Sequence, residues 1–198
     1  LVALGAGLPI ARTASLMVVD VGGGKTEVSV VCLGRVVASR FLQLGGMDFD
    51  DQIVNFVKMK YGLLIGKNSA ENLKIAWGNK DKEMLVRGRD LESHMPKTIK
   101  IGAWELSEAL SLPLNRIVRE VSVLLDEMGP DLVDDVLRRG IVLSGGGAKL
   151  AGLAGLIEKE TKVNTRVADL PELMLIRGCG QVIESEDMNY QLKLVGGV

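Results

Sequence analysis

The 198 residues are enough to bury a sizeable core, and 47% hydrophobic with 25% charged residues is the composition of an ordinary globular protein. A formal net charge of −1 gives no electrostatic case for nucleic acid or an anionic membrane, and no apolar stretch reaches the roughly 20 residues that span a bilayer. Two distant cysteines, Cys32 and Cys179, and one histidine, His94, argue against a disulfide framework and against zinc, and they fit a reducing cytoplasm.

Residues 1–10 lack an initiator methionine and read as the end of a helix cut mid-element, so a fragment of a longer protein is expected. Residues 16–20 are a continuous apolar run ending in Asp20, the pattern of a strand buried on both faces. Val21 and three glycines turn the chain. Residues 25–32 then alternate polar and apolar as a second strand, and Leu33-Gly34 turns into a third over 35–42. Residues 48–61 carry Phe49, Ile53, Phe56, Val57 and Met59 at roughly helical spacing. A second helix is expected over 69–77, with Ser69 as its cap.

Two short strands, 84–90 and 97–101, flank a loop at His94. From Trp104 to about Met128 a long helix lines up Leu106, Leu110, Leu114, Ile117, Val121, Leu124 and Leu125, with Pro113 marking a bend or break. Residues 131–139 read as a helix, 140–144 as a buried strand, 148–160 as a helix, 165–168 as a strand and 172–185 as a last helix. Residues 196–198 are expected to fray. The pattern predicts an α/β sheet subdomain built from 1–44 and 140–198. Into it is inserted a mainly helical subdomain, 45–139, carrying one small sheet.

Asp20-Val21-Gly22-Gly23-Gly24-Lys25-Thr26 follows a buried strand directly. Glycine removes the side chains that would keep backbone N–H groups off phosphate oxygens. A carboxylate at the strand's end can hold a hydrated divalent cation beside the same phosphates. Gly145-Gly146-Gly147-Ala148 also closes a buried strand, but it is expected to run into a helix whose N-terminus favours a phosphate or the face of a nucleotide. The plain alternative is a pair of sharp turns; a triple glycine at the end of each of two buried strands weighs against it. Gly24-Lys25-Thr26 is not the end of a P-loop. That pattern needs glycine where Val19 stands, and a helix where Thr26 opens a strand.

The first loop with its flanking strands resembles the second phosphate loop of actin-fold ATPases. Further segments narrow the resemblance to the MreB-like bacterial actins over roughly residues 1–170. They are Leu44-Gly45-Gly46-Met47-Asp48-Phe49-Asp50, Tyr61-Gly62-Leu63-Leu64-Ile65-Gly66, Ala70-Glu71-Asn72-Leu73-Lys74, Val86-Arg87-Gly88-Arg89-Asp90, and residues 132–147.

The resemblance implies an actin-like (ribonuclease H-like) fold, ATP and magnesium as cofactors, and self-association into cytoplasmic filaments that maintain rod cell shape. It implies that Asp20 holds magnesium through water and that Gly22, Gly23 and Gly24 bind phosphates. Glu71 and Lys74 would contact the ribose and adenine, bordered by Asn72 and Leu73, and Gly145, Gly146, Gly147 and Ala148 would form the adenosine loop. Spacing alone reads Glu71 and Lys74 as a solvated i,i+3 ion pair. Membrane proteins of the cell-shape machinery are possible partners; nucleic acid is not expected, nor direct membrane contact by this half.

Two segments depart from the family pattern: Lys25 stands where threonine is usual, and 170–177 differs from the usual stretch. The first phosphate loop and the water-positioning carboxylate, expected upstream of Leu1, are absent. No catalytic residue is therefore assigned, and poor ATP hydrolysis is expected of this chain alone. A reading from a different class is a non-catalytic actin-like assembly or scaffold domain that binds no nucleotide usefully. A sugar kinase or DnaK-type chaperone of the same superfamily fits residues 70–74 and 87–90 less well.

Overall fold

The computed structural model describes residues 1–8, 14–77 and 83–184. Strands β1 (Leu16–Val21), β2 (Thr26–Cys32) and β3 (Arg35–Leu42) form the expected antiparallel meander. Leu33 and Gly34 make the β2–β3 turn with φ of 50° and 74°, the left-handed backbone that suits a two-residue hairpin. β7 (Ile141–Ser144) returns parallel to β1, and β8 (Thr165–Val167) lies parallel outside it, giving the order β3-β2-β1-β7-β8.

Central β1 is buried at every position except Asp20. Asp20 pairs with Ser144 on β7 and Glu27 on β2, so both glycine loops leave the sheet at the same end. That is the carboxyl end of two parallel strands, where open α/β sheets bind their ligands.

Between β3 and β7 lie α2 (Gly46–Tyr61), α3 (Lys67–Ala76), α4 (Ala103–Glu127) and α5 (Pro130–Arg139). With them is an antiparallel sheet of β4 (Leu63–Leu64), β5 (Met84–Asp90) and β6 (Pro96–Ile101). The sequence suggested only the last two strands. Short β4 joins them because Gly88 leaves room: a Cβ there would lie 2.4 Å from the Leu64 carbonyl oxygen. His94 occupies the β5–β6 turn with φ 59°. One core runs from the sheet through the helices, with Phe49, Ile53, Leu106, Leu110, Ile117, Leu153 and Ile157 buried in it.

Three local expectations are corrected. α3 starts at Lys67 after Gly66 in extended backbone, so Ser69 lies inside the first turn and is not the cap. α4 runs through Pro113 without a break. A proline inside a helix costs about 3 kcal/mol. Burying one large aliphatic side chain returns about 1.5–3 kcal/mol, and Leu110, Leu114, Ile117 and Val121 are all buried on this helix. Finally, the second triple glycine enters a 3-10 turn, Gly146–Lys149, and α6 (Leu153–Thr161) begins only after Gly152 at φ 83°.

A further 3-10 turn, Pro171–Leu173, leads into α7 (Met174–Glu184). α7 crosses α1 (Val2–Gly5) glycine against glycine. A Cβ on Gly178 would fall 2.0 Å from the Leu1 carbonyl oxygen, and one on Gly5 would fall 1.8 Å from that of Met174. The expected fraying of 196–198 and the end of the last helix at 185 lie outside the described residues.

Candidate nucleotide-binding site

The two glycine loops line one cavity of about 540 Å³. Gly22 and Gly23 come from the first loop, and Gly146, Gly147, Lys149, Leu150 and Ala151 from the second. α2 contributes Gly46 and Phe49, and α3 contributes Glu71, Lys74 and Ile75.

The first loop is built on the N-terminus of α2. Gly46 N–H donates to the Gly22 carbonyl at 2.9 Å, and Met47 N–H to the Gly23 carbonyl at 2.7 Å. A peptide is planar and trans, so carbonyls turned toward α2 turn the N–H groups of Gly23 and Gly24 away from it. Among the described residues neither N–H has an acceptor, which leaves both available to an anion. Gly45 makes the close approach possible, since a Cβ there would lie 2.7 Å from the Gly22 carbonyl oxygen. Thr26 Oγ1 donates to the Leu44 carbonyl at 2.8 Å, which ties down the loop's exit, while Lys25 is exposed.

The second loop presses on the end of β1. Gly145 has φ 80°, and a Cβ on it would lie 2.3 Å from the Val21 carbonyl oxygen; one on Gly147 would lie 2.3 Å from Val21 Cγ1. Gly145 N–H and Ser144 Oγ both donate to the Pro171 carbonyl, at 3.0 and 3.2 Å. Ala148 N–H returns to the Gly145 carbonyl and Leu150 N–H to that of Gly147. Among the described residues the N–H groups of Gly146 and Gly147 have no acceptor. What the loop offers an anion is these two N–H groups, not the end of an α-helix.

Asp20 stands behind the cavity wall, half-buried, and a Cβ on Gly145 would come 2.8 Å from its Oδ1. Burial pushes its carboxyl above the usual carboxylate range; the Ser144 hydroxyl works against that, Glu27 adds to it, and Lys25 opposes it.

On α3 the expected pair is not formed. Lys74 Nζ lies 2.8 and 2.9 Å from the two carboxylate oxygens of Asp50 and 2.9 Å from the Gly46 carbonyl oxygen. Glu71 is left exposed at the cavity without an ion-pair partner among the described residues. Helical periodicity separates the neighbours: Glu71, Lys74 and Ile75 share the cavity face, Leu73 points into the core and Asn72 is exposed elsewhere. Ala148 is also in the core, and Gly24, Gly145 and Asp20 adjoin the cavity without lining it. The sequence reading gave no role in the site to Gly46, Phe49, Ile75, Lys149, Leu150 or Ala151. Ile75 could have been found as an apolar residue four positions after Glu71.

The sequence profile of the MreB/Mbl protein family matches residues 1–191. The chain belongs to that family. It is 42% identical over 192 residues to the cell shape-determining protein MreB of Escherichia coli strain K12, covering 94% of this chain and 55% of that one. It is 36% identical over 197 residues to the cell shape-determining protein Mbl of Bacillus subtilis strain 168, covering 97% of this chain and 59% of that one. This MreB/Mbl chain thus spans little more than half the length of these relatives. The crystal structure of MreB5 of Spiroplasma citri bound to AMPPNP matches it with a TM-score of 0.90 at 30% identity, over 96% of this chain and 59% of that one. The fold of the MreB/Mbl chain is actin-like. Among its described residues no helix is long and apolar enough to cross a membrane.

Proposed function

We propose that this chain forms one lobe of an ATP-binding, filament-forming protein of the cytoplasm that maintains rod cell shape. The observation that carries the reading is the meeting of both glycine loops and α3 around one cavity of about 540 Å³. In this reading 1–44 and 140–198 make the nucleotide-binding subdomain, and 45–139 is inserted into it. The AMPPNP-bound relative supports nucleotide binding.

The residues suit a nucleoside triphosphate. The unpartnered N–H groups of Gly23, Gly24, Gly146 and Gly147 would bind phosphate oxygens, with Gly22 and Gly145 shaping the two loops. The Glu71 carboxylate would accept from ribose hydroxyls, and Ile75, Leu150 and Ala151 give the base an apolar surface. Lys74, Asn72, Leu73 and Ala148 would support this wall. The desolvated Asp20 carboxylate suits a hydrated magnesium ion, whose charge would neutralise the phosphates. Among the described residues no group of three or more His, Cys, Asp or Glu side chains gathers. Asp20 would act on the ion through its bound water. Hydrolysis and head-to-tail polymerisation, coupled by cleft closure, would belong to the whole protein.

Lys74 favours a second reading, the scaffold domain, because its charge is already satisfied by Asp50. Calorimetric titration of ATP with magnesium separates the two. Saturable heat is expected, abolished by Gly146→Asp, which adds a negative charge where a Cβ meets none of the described residues within 4 Å. Absence of heat from the parent chain would support the scaffold domain instead.

A further inference from the structure

Lys149 lines the cavity, yet neither the sequence nor the loop geometry gives it a role. Its Nζ lies 2.8 Å from Glu172 Oε1, and the two side chains are 55% and 39% exposed. Ion pairs this open to water are weakly held. Among the described residues the other cation lining the cavity, Lys74, is only 14% exposed and is locked between Asp50 and the Gly46 carbonyl. Among the described residues Lys149 is therefore the cavity cation whose partner a ligand can replace. The glycine loops offer neutral N–H donors, whereas a polyphosphate brings several negative charges that a mobile ammonium can meet.

Glu172 has the shorter side chain of the pair. It sits in the Pro171–Leu173 turn, and the Pro171 carbonyl accepts from both Gly145 N–H and Ser144 Oγ. That fixes the turn against the second glycine loop. The lysine, on a four-carbon stem, is free to swing between an anchored carboxylate and whatever fills the cavity.

We propose, resting on the nucleotide reading above, that Lys149 is a phosphate-binding residue of the cavity and that Glu172 competes for it. Binding exchanges the Lys149–Glu172 pair for a contact with the polyphosphate. Glu172 thereby sets the affinity without touching the nucleotide.

The test titrates ATP with magnesium, and separately adenosine, into the parent chain, Lys149→Met and Glu172→Gln. Both positions are exposed, so the variants should melt with the parent, and Glu172→Gln carries the test by itself should the other fail to fold. Lys149→Met is expected to weaken ATP about fivefold to tenfold, and Glu172→Gln to tighten it about threefold, because no ion pair must first be broken. Adenosine affinity should move in neither variant. Parent-like ATP affinity in both variants overturns the inference and leaves the nucleotide reading standing. Equal loss of adenosine and ATP in Lys149→Met overturns the assignment to phosphate. A parent chain that binds no ATP overturns the nucleotide reading, and the inference with it.

Discussion

Lys74 Nζ sits 2.8 Å from one oxygen of Asp50 and 2.9 Å from the Gly46 carbonyl oxygen, so α3 is fastened to the first turn of α2. Gly46 N–H in turn holds the Gly22 carbonyl, so the same residue of α2 connects the ion pair to the first glycine loop. The two side chains are 14% and 10% exposed. Removing one partner of such a pair leaves a charge with little water to solvate it, so Lys74→Ala should destabilise the chain by about 3 kcal/mol. Asp50→Asn should cost less, since an amide oxygen can still accept from the ammonium. By contrast, Lys67→Ala breaks the exposed Lys67–Asp51 pair, at 70% and 48% exposure, and should leave stability unchanged. Urea unfolding of the three variants checks the ranking; equal effects at Lys67 and Lys74 would remove the special role of the buried pair.

Asp20 is held above the usual carboxylate range chiefly by burial. Its folded-state pKa therefore exceeds the unfolded one, and the folded state takes up a proton first as pH falls. This group's contribution makes the chain more stable on acidification through its folded pKa, and the ionised carboxylate is a liability at neutral pH. Asp20→Asn should accordingly raise the melting temperature near pH 7 and flatten its dependence on pH above about pH 4. The same change should abolish any magnesium-dependent part of ATP binding. A lower melting temperature for Asp20→Asn, without ligand, would show that the carboxylate is solvated well enough to carry its charge freely.

The sheet was legible because its signals are local. The apolar run ending at Asp20 and the alternation through Cys32 have a buried or half-buried strand as their simplest reading. Gly22, Gly23, Gly146 and Gly147, which line the cavity, stand out in the sequence because a triple glycine closes each of two buried strands, where a single one would read as a sharp turn. What failed needed tertiary information. Serine favours the cap position, which points to Ser69, but extended Gly66 lets the helix start earlier. Pro113 suggests a bend or a break; the break does not occur, because the burial of Leu110 and Leu114 on either side of it outweighs the lost hydrogen bond. Helical spacing alone offers Glu71 as a partner for Lys74, while its partner in the structure is 24 residues away on another helix. Lys149 gave no signal, because a lysine after a glycine loop looks like any surface lysine.

The second loop separates glycines required by the fold from one that is not. At Gly145 a side chain would meet both a left-handed backbone at φ 80° and the Val21 carbonyl oxygen at 2.3 Å. Gly145→Ala should destabilise by about 2 kcal/mol or more. Gly146 has no such constraint, with nothing among the described residues within 4 Å of an added Cβ, so Gly146→Ala should stay within about 0.5 kcal/mol of the parent. Thermal melts of the pair decide it: similar losses at both positions would mean that the loop does not pack on β1 as described.

Tyr61, the last residue of α2, donates its hydroxyl to the carboxylate of Glu105 in the first turn of α4. The same carboxylate accepts from Gly102 N–H at 2.8 Å and lies 3.0 Å from Lys60 Nζ. Burial, and then the hydrogen bond and charge of Glu105, push the Tyr61 hydroxyl up to about 12. The sequence has two tyrosines, so Tyr190→Phe leaves Tyr61 alone for an ultraviolet titration. Phenolate absorbance should then appear near pH 12, and Glu105→Gln should draw it back toward 10, the value of an unperturbed tyrosine. Because the folded pKa lies above the unfolded one, the unfolded chain loses this proton first. The contribution to stability is full below about pH 10 and is lost as pH rises toward 12. A Tyr61 that ionises near pH 10 in the folded chain would mean that the hydroxyl–carboxylate bond joining α2 to α4 does not persist in solution.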